Sequence, residues 1–447
     1  MKKLFLFCSC LIMIVSAHAQ IEDFPRPGQG NLGGGLGFNW IDGNLYYNFN
    51  IRPELSIANF GAGLDLNIDI DKNGNIRKED FLNFSDYLNI IRYIRYGTKN
   101  EPVYVQLGAL DYYTLGYGNI ILNYNNSPSY DARRIGLVTD IDFGEFGVES
   151  IYSNFLDAGI VGIRGYLRPL KFTSAGNIPI IGNLTVGMTY AVDFNKYAGI
   201  VFDQLGTTSL SEDKGSINIE GIDLGLPLYS SRMLGLQFYT DAAKIINFGS
   251  GAAVGIKADL NGLGFIKASA QFERRFNNSQ FIAGYFNPLY EIERYQYDSA
   301  SGIYSSKATK LADITNPDNG YFGELYANAL GLFYVLGTYE RLDKTPYSGV
   351  LHLEANAAPE SLPFILRAGY DKVNISSETE IFTLDNRSLL YFEFGYKPSP
   401  YIVVSMLYKW TFAPVYDSNN NIINYQPQKR IEPRVTFEYP FNYGNSN

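Results

Sequence analysis

Arg430-Ile431-Glu432-Pro433-Arg434-Val435-Thr436-Phe437-Glu438-Tyr439-Pro440-Phe441 decides how the rest of the chain is read. From Arg434 it alternates strictly, with Val435, Phe437, Tyr439 and Phe441 on one side and Arg434, Thr436 and Glu438 on the other. Side chains on a strand have period two, so one face is apolar and aromatic while its reverse carries charge. The pattern recurs upstream. Between Tyr401 and Phe412, the residues Ile402, Val404, Met406, Tyr408, Trp410 and Phe412 form an unbroken apolar face that ends in three aromatics. Around Leu389–Lys397, Leu390, Phe392, Phe394 and Tyr396 oppose Tyr391, Glu393, Gly395 and Lys397. Further back, Ile266, Ala268, Ala270 and Phe272 oppose Lys267, Ser269, Gln271, Glu273 and Arg275.

An apolar face ending in an aromatic girdle, backed by a polar one, suits a strand that separates lipid from a watery interior. The Arg430–Phe441 stretch resembles the closing strand of bacterial outer-membrane β-barrel proteins, whose aromatic-ended last strand serves as the assembly signal. Here a short tail, residues 442–447, follows the aromatic. The resemblance implies an all-β fold, a transmembrane antiparallel β-barrel spanning residues 36–441. It also implies outer-membrane lipid and the barrel-assembly machinery as partners, and the outer membrane of a Gram-negative-type cell as location. A secreted soluble all-β protein is the competing reading, because alternating faces also suit sandwiches.

The start of the chain agrees with export. Met1-Lys2-Lys3 is a positive n-region, Leu4 to Val15 an apolar core, and Ala17-His18-Ala19 a cleavage site, so residues 1–19 read as a signal peptide. The core is too short for a membrane-spanning helix of about 20 residues. Cys8 and Cys10 lie too early, and without a lipobox, for a lipoprotein anchor. They are the only two cysteines, so disulfides and thiolate metal sites are excluded from the mature chain. Of 447 residues, 44 are Gly, 36 Tyr and 30 Phe, and only 18% are charged. Mean hydropathy is nevertheless -0.11. A barrel hides its hydrophobicity in alternate positions and gives such an average, whereas a helical membrane protein shows several long apolar runs. The net charge of -9 argues against nucleic acid, which needs a basic face.

Residues 20–35, with Pro25, Pro27 and five glycines from Gly28, read as a flexible segment. Strands are expected at Leu36–Ile41, Asn44–Ile57, Ala62–Ile68 and Val103–Leu110. Counting back from the end, connections alternate between long (Ala413–Lys429, Asn374–Arg387) and short (Pro398–Pro400, Ala357–Pro363). Barrels keep short turns on the periplasmic side and long loops outside, which makes Pro288–Gly320 and Lys196–Gly215 external loops. Chain length implies about 14 to 16 strands.

Asp69, Asp71, Asn73, Asn75 and Asp80 resemble the ligand positions of an EF-hand-type calcium loop, with Gly74 at the sharp turn. Position 9 is Arg77 and position 12 is Asp80 instead of glutamate, and the flanks read as strand. The same residues also make a polar hairpin turn without any ion. Asp417-Ser418-Asn419-Asn420-Asn421 is a weaker turn of the same kind. A short helix is expected near Asp80–Asn89. Leu115-Gly116-Tyr117-Gly118 lacks the ending of a phosphate loop, and its glycines mark a sharply bent strand or a close backbone contact.

Catalytic constellations are scarce. His352 is the only histidine past the leader, and a hydrated place in the lumen beside Glu354 explains it without catalysis. The protein is therefore expected not to be an enzyme, and no cofactor is implied beyond calcium at the Asp69 loop. Lumen-lining positions follow from the alternation: Lys267, Gln271, Glu273, Arg275, His352, Glu354, Arg367, Glu393, Lys397, Lys409, Arg434 and Glu438. Their signs are mixed, so a pore should be weakly ion-selective, and a change such as Glu393→Arg should cost little on a hydrated face. Two functions fit. One is a channel or transporter for small polar solutes. The other is a barrel plugged by residues 21–35 or by the helix after Asp80, whose external loops bind a partner or a cell-surface component.

Overall fold

The computed structural model of the chain describes residues 25, 27–78, 81, 87, 90–99, 101–128, 133–202, 215–231, 233–261, 266–298, 303–330, 332–357, 362–416 and 422–442. Residues 1–19, Asp80 and most of the stretch read as a helix after it, the turn at Asp417–Asn421 and the tail beyond Asn442 lie outside these.

The strands are β1 (Gln29–Ile41), β2 (Asn44–Ile57), β3 (Phe60–Leu64 continued by Leu66–Asp71), β4 (Ile91–Tyr96), β5 (Val103–Gly108), β6 (Gly136–Asp142) and β7 (Phe146–Tyr152). There follow β8 (Ile160–Leu167), β9 (Thr185–Asp193), β10 (Ile217–Ser230), β11 (Leu234–Ile245), β12 (Ser250–Leu260) and β13 (Ile266–Asn277). The last seven are β14 (Asp318–Ala329), β15 (Phe333–Leu342), β16 (Gly349–Ala357), β17 (Phe364–Ile375), β18 (Ser388–Ser399), β19 (Ile402–Tyr416) and β20 (Ile422–Asn442). Each pairs antiparallel with its neighbours in the chain, and β1 pairs with both β2 and β20, with Gly35 between Asn50 and Thr436. The sheet therefore closes on itself. Its 21 strand segments count as 20 strands, because Asp65 interrupts β3 where its carboxylate takes the Asn50 amide at 2.8 Å.

Twenty strands exceed the expected 14 to 16 because several connections are tight: Asp42-Gly43 joins β1 to β2, and Ala58-Asn59 joins β2 to β3. Two boundaries also move. Gln29 to Gly35, read as flexible, is the first half of β1; its glycines lack the side chains that register alternation, yet its backbone is paired on both edges. Ala413–Lys429, read as a long loop, is mostly a strand ladder in which Phe412 faces Pro427 and Val415 faces Asn424. An even strand number puts Gln29 and Asn442 on one rim, together with the short turns at 58–59, 143–145 and 400–401. That rim is the periplasmic one by the usual barrel asymmetry. The connections that follow Gly108, Asp193, Asn277 and Ile375 leave the other rim.

Alternation decides the two faces of the wall. Phe392, Phe394, Val404, Met406, Val435 and Phe437 are exposed on the outside, while Glu393, Ser405 and Thr436 are buried inside. Large apolar side chains exposed in a continuous band need a lipid solvent. The chain is a transmembrane β-barrel. Its apolar core sits within the lumen, where Tyr113, Ile121 and Tyr124 meet Tyr285, Phe286 and Tyr290.

Candidate functional site

The expected lining residues fall into three groups on the inner wall. On β17 to β20, Glu393 lies 3.1 Å from Arg367 and 2.7 Å from Arg434, Arg367 lies 3.6 Å from Glu438, and Lys409 lies 3.1 Å from Glu432. Lys397 is half-buried on the same face of β18, towards the periplasmic end. On β13, Gln271, Glu273 and Arg275 are buried, and Lys267 is exposed at the periplasmic mouth. Arg275 pairs with Glu273 at 2.8 Å and with Glu340 of β15. The third group is on β16 and β17. His352 is 1% exposed, its Nδ1 lies 2.8 Å from Asp371 and its Nε2 3.7 Å from Glu354, and the Tyr112 ring covers it at 4.2 Å. The histidine expected to be hydrated is buried, because Tyr112 of a loop lies over it. Glu340, Asp371 and Glu432 belong to these groups and were missed. Glu432 shares the parity of Arg434 and Asp371 that of Arg367, so alternation within one stretch carries a signal for both, whereas the meeting of Glu340 with Arg275 depends on strand register.

Two loops fill the lumen. Loop 109–135 leaves β5 at the external rim and turns inward. Gly116 adopts φ +61°, and a Cβ there would sit 2.9 Å from Arg164 Cδ, so the close contact read from the Gly-Tyr-Gly stretch is with the wall. Gly116 N–H donates to Glu149 (3.0 Å), Gln237 donates to the Tyr117 hydroxyl (2.8 Å), Asn123 donates to Thr338 (3.2 Å), and the Tyr112 hydroxyl donates to Asp371 (3.0 Å). The loop thus crosses from β7 to β11 and on to β15 and β17. Loop 278–317 descends beside it, and the backbones pair: Leu122 N–H donates to the Phe286 carbonyl (3.0 Å) and Phe286 N–H to Ile120 (3.1 Å). Among the described residues these two loops fill the lumen; residues 21–24 and most of the stretch after Asp80, which the plugged reading invokes, lie outside the described residues. Part of Pro288–Gly320, expected outside, lies within, and the helical turn Tyr290–Glu293 is wholly buried.

Both loops are latched by one buried charge cluster. Arg294 lies 2.6 Å from Asp193 at the end of β9 and 2.7 Å from Glu291. Glu291 also takes Arg134 and the Tyr124 hydroxyl from the other loop, and the Tyr290 hydroxyl donates to Asp193 (2.8 Å). Burial pushes the Tyr124 phenol up to about 12, so it remains a donor at neutral pH.

Above the loops, open to the external side, lies a cavity of about 1080 Å³. Arg275 and Asn277 of the wall form part of its lining, with Glu293, Lys307 and Lys310 of loop 278–317 and Arg387 of loop 376–387. A short hairpin, Tyr295–Asp298 with Ile303–Ser306, leads into the helix Lys307–Ala312, whose first turn is capped by Ser306 accepting from Thr309 N–H. The cap aims Lys307 and Lys310 at Glu293, 2.8 and 3.0 Å away, and Asn287 and Asn374 donate to the same carboxylate at 2.9 and 2.8 Å. Burial pushes Glu293 up, but the two ammoniums outweigh it and hold the carboxyl below the ordinary range. The arrangement is built for noncovalent holding: fixed donors and acceptors beside an apolar flank, with charges neutralised in place.

The Asp69 loop is a hairpin turn. Asp69 points into the lumen and accepts from Asn39 (3.1 Å) and Asn48 (2.8 Å). Asp71 caps the turn, accepting the backbone N–H groups of Asn73 and Asn75 at 2.8 Å each, and Gly74 takes φ +85°. Asp80 lies outside the described residues. Among the described residues, no group of three or more His, Cys, Asp or Glu side chains is placed to hold a metal ion.

No protein-family model matches the chain, and no curated sequence does. Among solved structures, a ferric enterobactin receptor of Pseudomonas aeruginosa, a mutant in complex with enterobactin, aligns at 10% identity and TM-score 0.38 over 94% of this chain and 82% of that one. The siderophore receptor PirA of Pseudomonas aeruginosa aligns at 11% identity and TM-score 0.37 over 93% and 81%. The outer membrane protein opdK of the same organism aligns at 9% and 0.31 over 92% and 99%. The barrel reading stands on the strand pairing of the chain itself.

Proposed function

We propose that this barrel passes small polar solutes across the outer membrane, through a lumen that its own loops 109–135 and 278–317 close at rest. The observation that carries the reading is the pairing of a polar, ion-paired inner wall with loops that are held by hydrogen bonds and charge instead of covalently. Such a constriction can be displaced, and the cavity above it faces the side from which solutes arrive. The inner wall balances its signs locally, so the conductance should discriminate weakly between anions and cations. No catalytic role is assigned: His352 is held by Asp371 beneath Tyr112.

The test is conductance in planar bilayers, with solute entry into proteoliposomes. Wild type should show rare openings that become frequent when the Leu115–Asn123 stretch is excised. The filled lumen favours a second reading, a closed barrel whose external loops bind a partner. Wild type impermeable to ions and solutes under all conditions would favour it.

A further inference from the structure

Just beneath the lining of the external cavity lie polar atoms that the protein leaves unmatched. Arg275 Nη2 and both amide atoms of Asn277 find no hydrogen-bond partner among the described residues. Both residues line the cavity and are nine-tenths or more buried, at 2% and 5% exposure. Leaving a buried donor or acceptor unpaired is costly, and an occupant that pairs with it recovers the loss.

The chemistry of the lining narrows the occupant. Its cations are already committed: Arg275 to Glu273 and Glu340, Lys307 and Lys310 to Glu293, Arg341 to Glu378, and Arg387 to Asp385 and Glu380. An anion would compete with carboxylates held at fixed distances, and a cation would compete with these same side chains. Lys344 and Asp313, exposed on the lining, are opposite in sign. What remains for a ligand is hydrogen bonding, from Asn277 and the unmatched Asp318 Oδ1 at depth and from Thr315, Asn316 and Asn386 where the lining is exposed; hydroxyls can donate to that oxygen as well. Ile292, Val350 and Val373 supply an apolar flank. A carboxamide offers one donor and one acceptor side by side, which matches adjacent hydroxyls, each able to give and take a hydrogen bond. The size is at the upper end of small-molecule sites.

We infer that the cavity binds a neutral, hydroxyl-rich solute, a short oligosaccharide, with Asn277 and Arg275 Nη2 on adjacent hydroxyls and C–H faces against Ile292 and Val350. This deepens the uptake reading and rests on it for the site's role, though not for its binding.

The experiment is calorimetric titration of the full, detergent-solubilised chain with maltotriose, cellotriose and raffinose, beside succinate and triglycine as anionic and peptide probes. At least one trisaccharide should bind, and Asn277→Leu should weaken it about tenfold or more. Asn277→Asp keeps the size and polarity of the side chain, and should weaken binding as well by removing the donor. Preferential binding of succinate or triglycine would overturn the inference, as would trisaccharide binding indifferent to both Asn277 variants, or no trisaccharide binding at 10-millimolar order. Binding in detergent does not depend on conductance, so loss of the transport reading and loss of this one are separable.

Discussion

Arg294→Met tests whether loop 278–317 is a latch. Arg294 is the cation between Asp193 of the wall and Glu291 of the loop, and both carboxylate side chains are 0% exposed. Methionine keeps the length and much of the volume but removes the charge. Glu291 retains Arg134, whereas Asp193 is left with the Tyr290 hydroxyl and the Asn195 N–H, both neutral. Breaking one side of a buried ion pair costs about 3–5 kcal/mol. The penalty falls on the docked loop alone, because both carboxylates are hydrated once the loop leaves. At about 1.4 kcal/mol per decade, the docked-to-undocked ratio should fall by roughly two to three and a half decades. Open probability in planar bilayers and protease cleavage within 278–317 should both rise accordingly. Adding Asp193→Asn removes the stranded charge and should restore much of the closed state. Single-channel behaviour identical to wild type, in a barrel that still migrates as heat-modifiable, would refute the latch. So would a double variant as open as the single one.

Phe392→Arg puts a guanidinium on the lipid face and should cost about 2–4 kcal/mol near the midplane, read as lost folding into lipid vesicles, whereas Phe392→Leu should be tolerated. Glu393→Arg, expected from sequence to be mild, should instead be at least as damaging, because it sets a third guanidinium beside Arg367 and Arg434; Glu393→Gln should be milder than either. Phe437→Arg should in addition lower membrane yield in cells, as the closing strand carries the proposed assembly signal. Calcium is proposed to be held by oxygens of Asp69, Asp71, Asn73, Asn75 and Asp80, displacing the amides that Asp71 now accepts. Added calcium should then slow proteolysis within 69–90 in wild type and not in Asp71→Ala, and equal cleavage with and without calcium in wild type would end the proposal. Glu380 in external loop 376–387 is held down to about 2, first by the Ser376 N–H and then by Arg387. A lowered carboxyl adds stability above its unfolded value and loses it as pH falls through the folded one. Loop cleavage by an acid-active protease should therefore increase from about pH 4 towards pH 2 in wild type, and already be high at pH 5 in Glu380→Gln.

The outer face was legible because lipid demands an apolar residue at every second position: Ile402, Val404 and Met406 announce it without help from neighbours, whereas Phe412, read on the same face, is buried in a cluster with Leu289 and Ile292. The inner face was half legible. Glu393 and Arg434 could be placed inside by parity, but not joined, since their meeting depends on β18, β19 and β20 stacking in a particular register. Strand number was underestimated where turns are as short as Asp42-Gly43 and where glycine replaces the alternating side chains, as from Gly33 to Gly35. The loops in the lumen were hardest to foresee. Tyr112, Tyr117 and Tyr124 carry no signal of their own that they turn inward. Their partners, Asp371, Gln237 and Glu291, stand far along the chain.

Closure between β1 and β20 has a consequence for the order of events during assembly. Gln29 pairs with Ser56 within the first hairpin but finds its second partner only when Asn442 arrives, so one edge of the earliest strand made waits for the latest. Until then its free edge carries unpaired amide and carbonyl groups, which can template other chains. Contacts of such sequence separation form slowly. Fitting the two edges together demands near-absence of side chains: a Cβ at Gly35 would meet the Val435 carbonyl oxygen at 2.7 Å, and one at Gly37 the Pro433 oxygen at 2.6 Å. Losing the final strands would leave an open, sticky ribbon and not a narrower tube, and a methyl group at Gly35 would act on the zipping of that seam long after every other hairpin had formed.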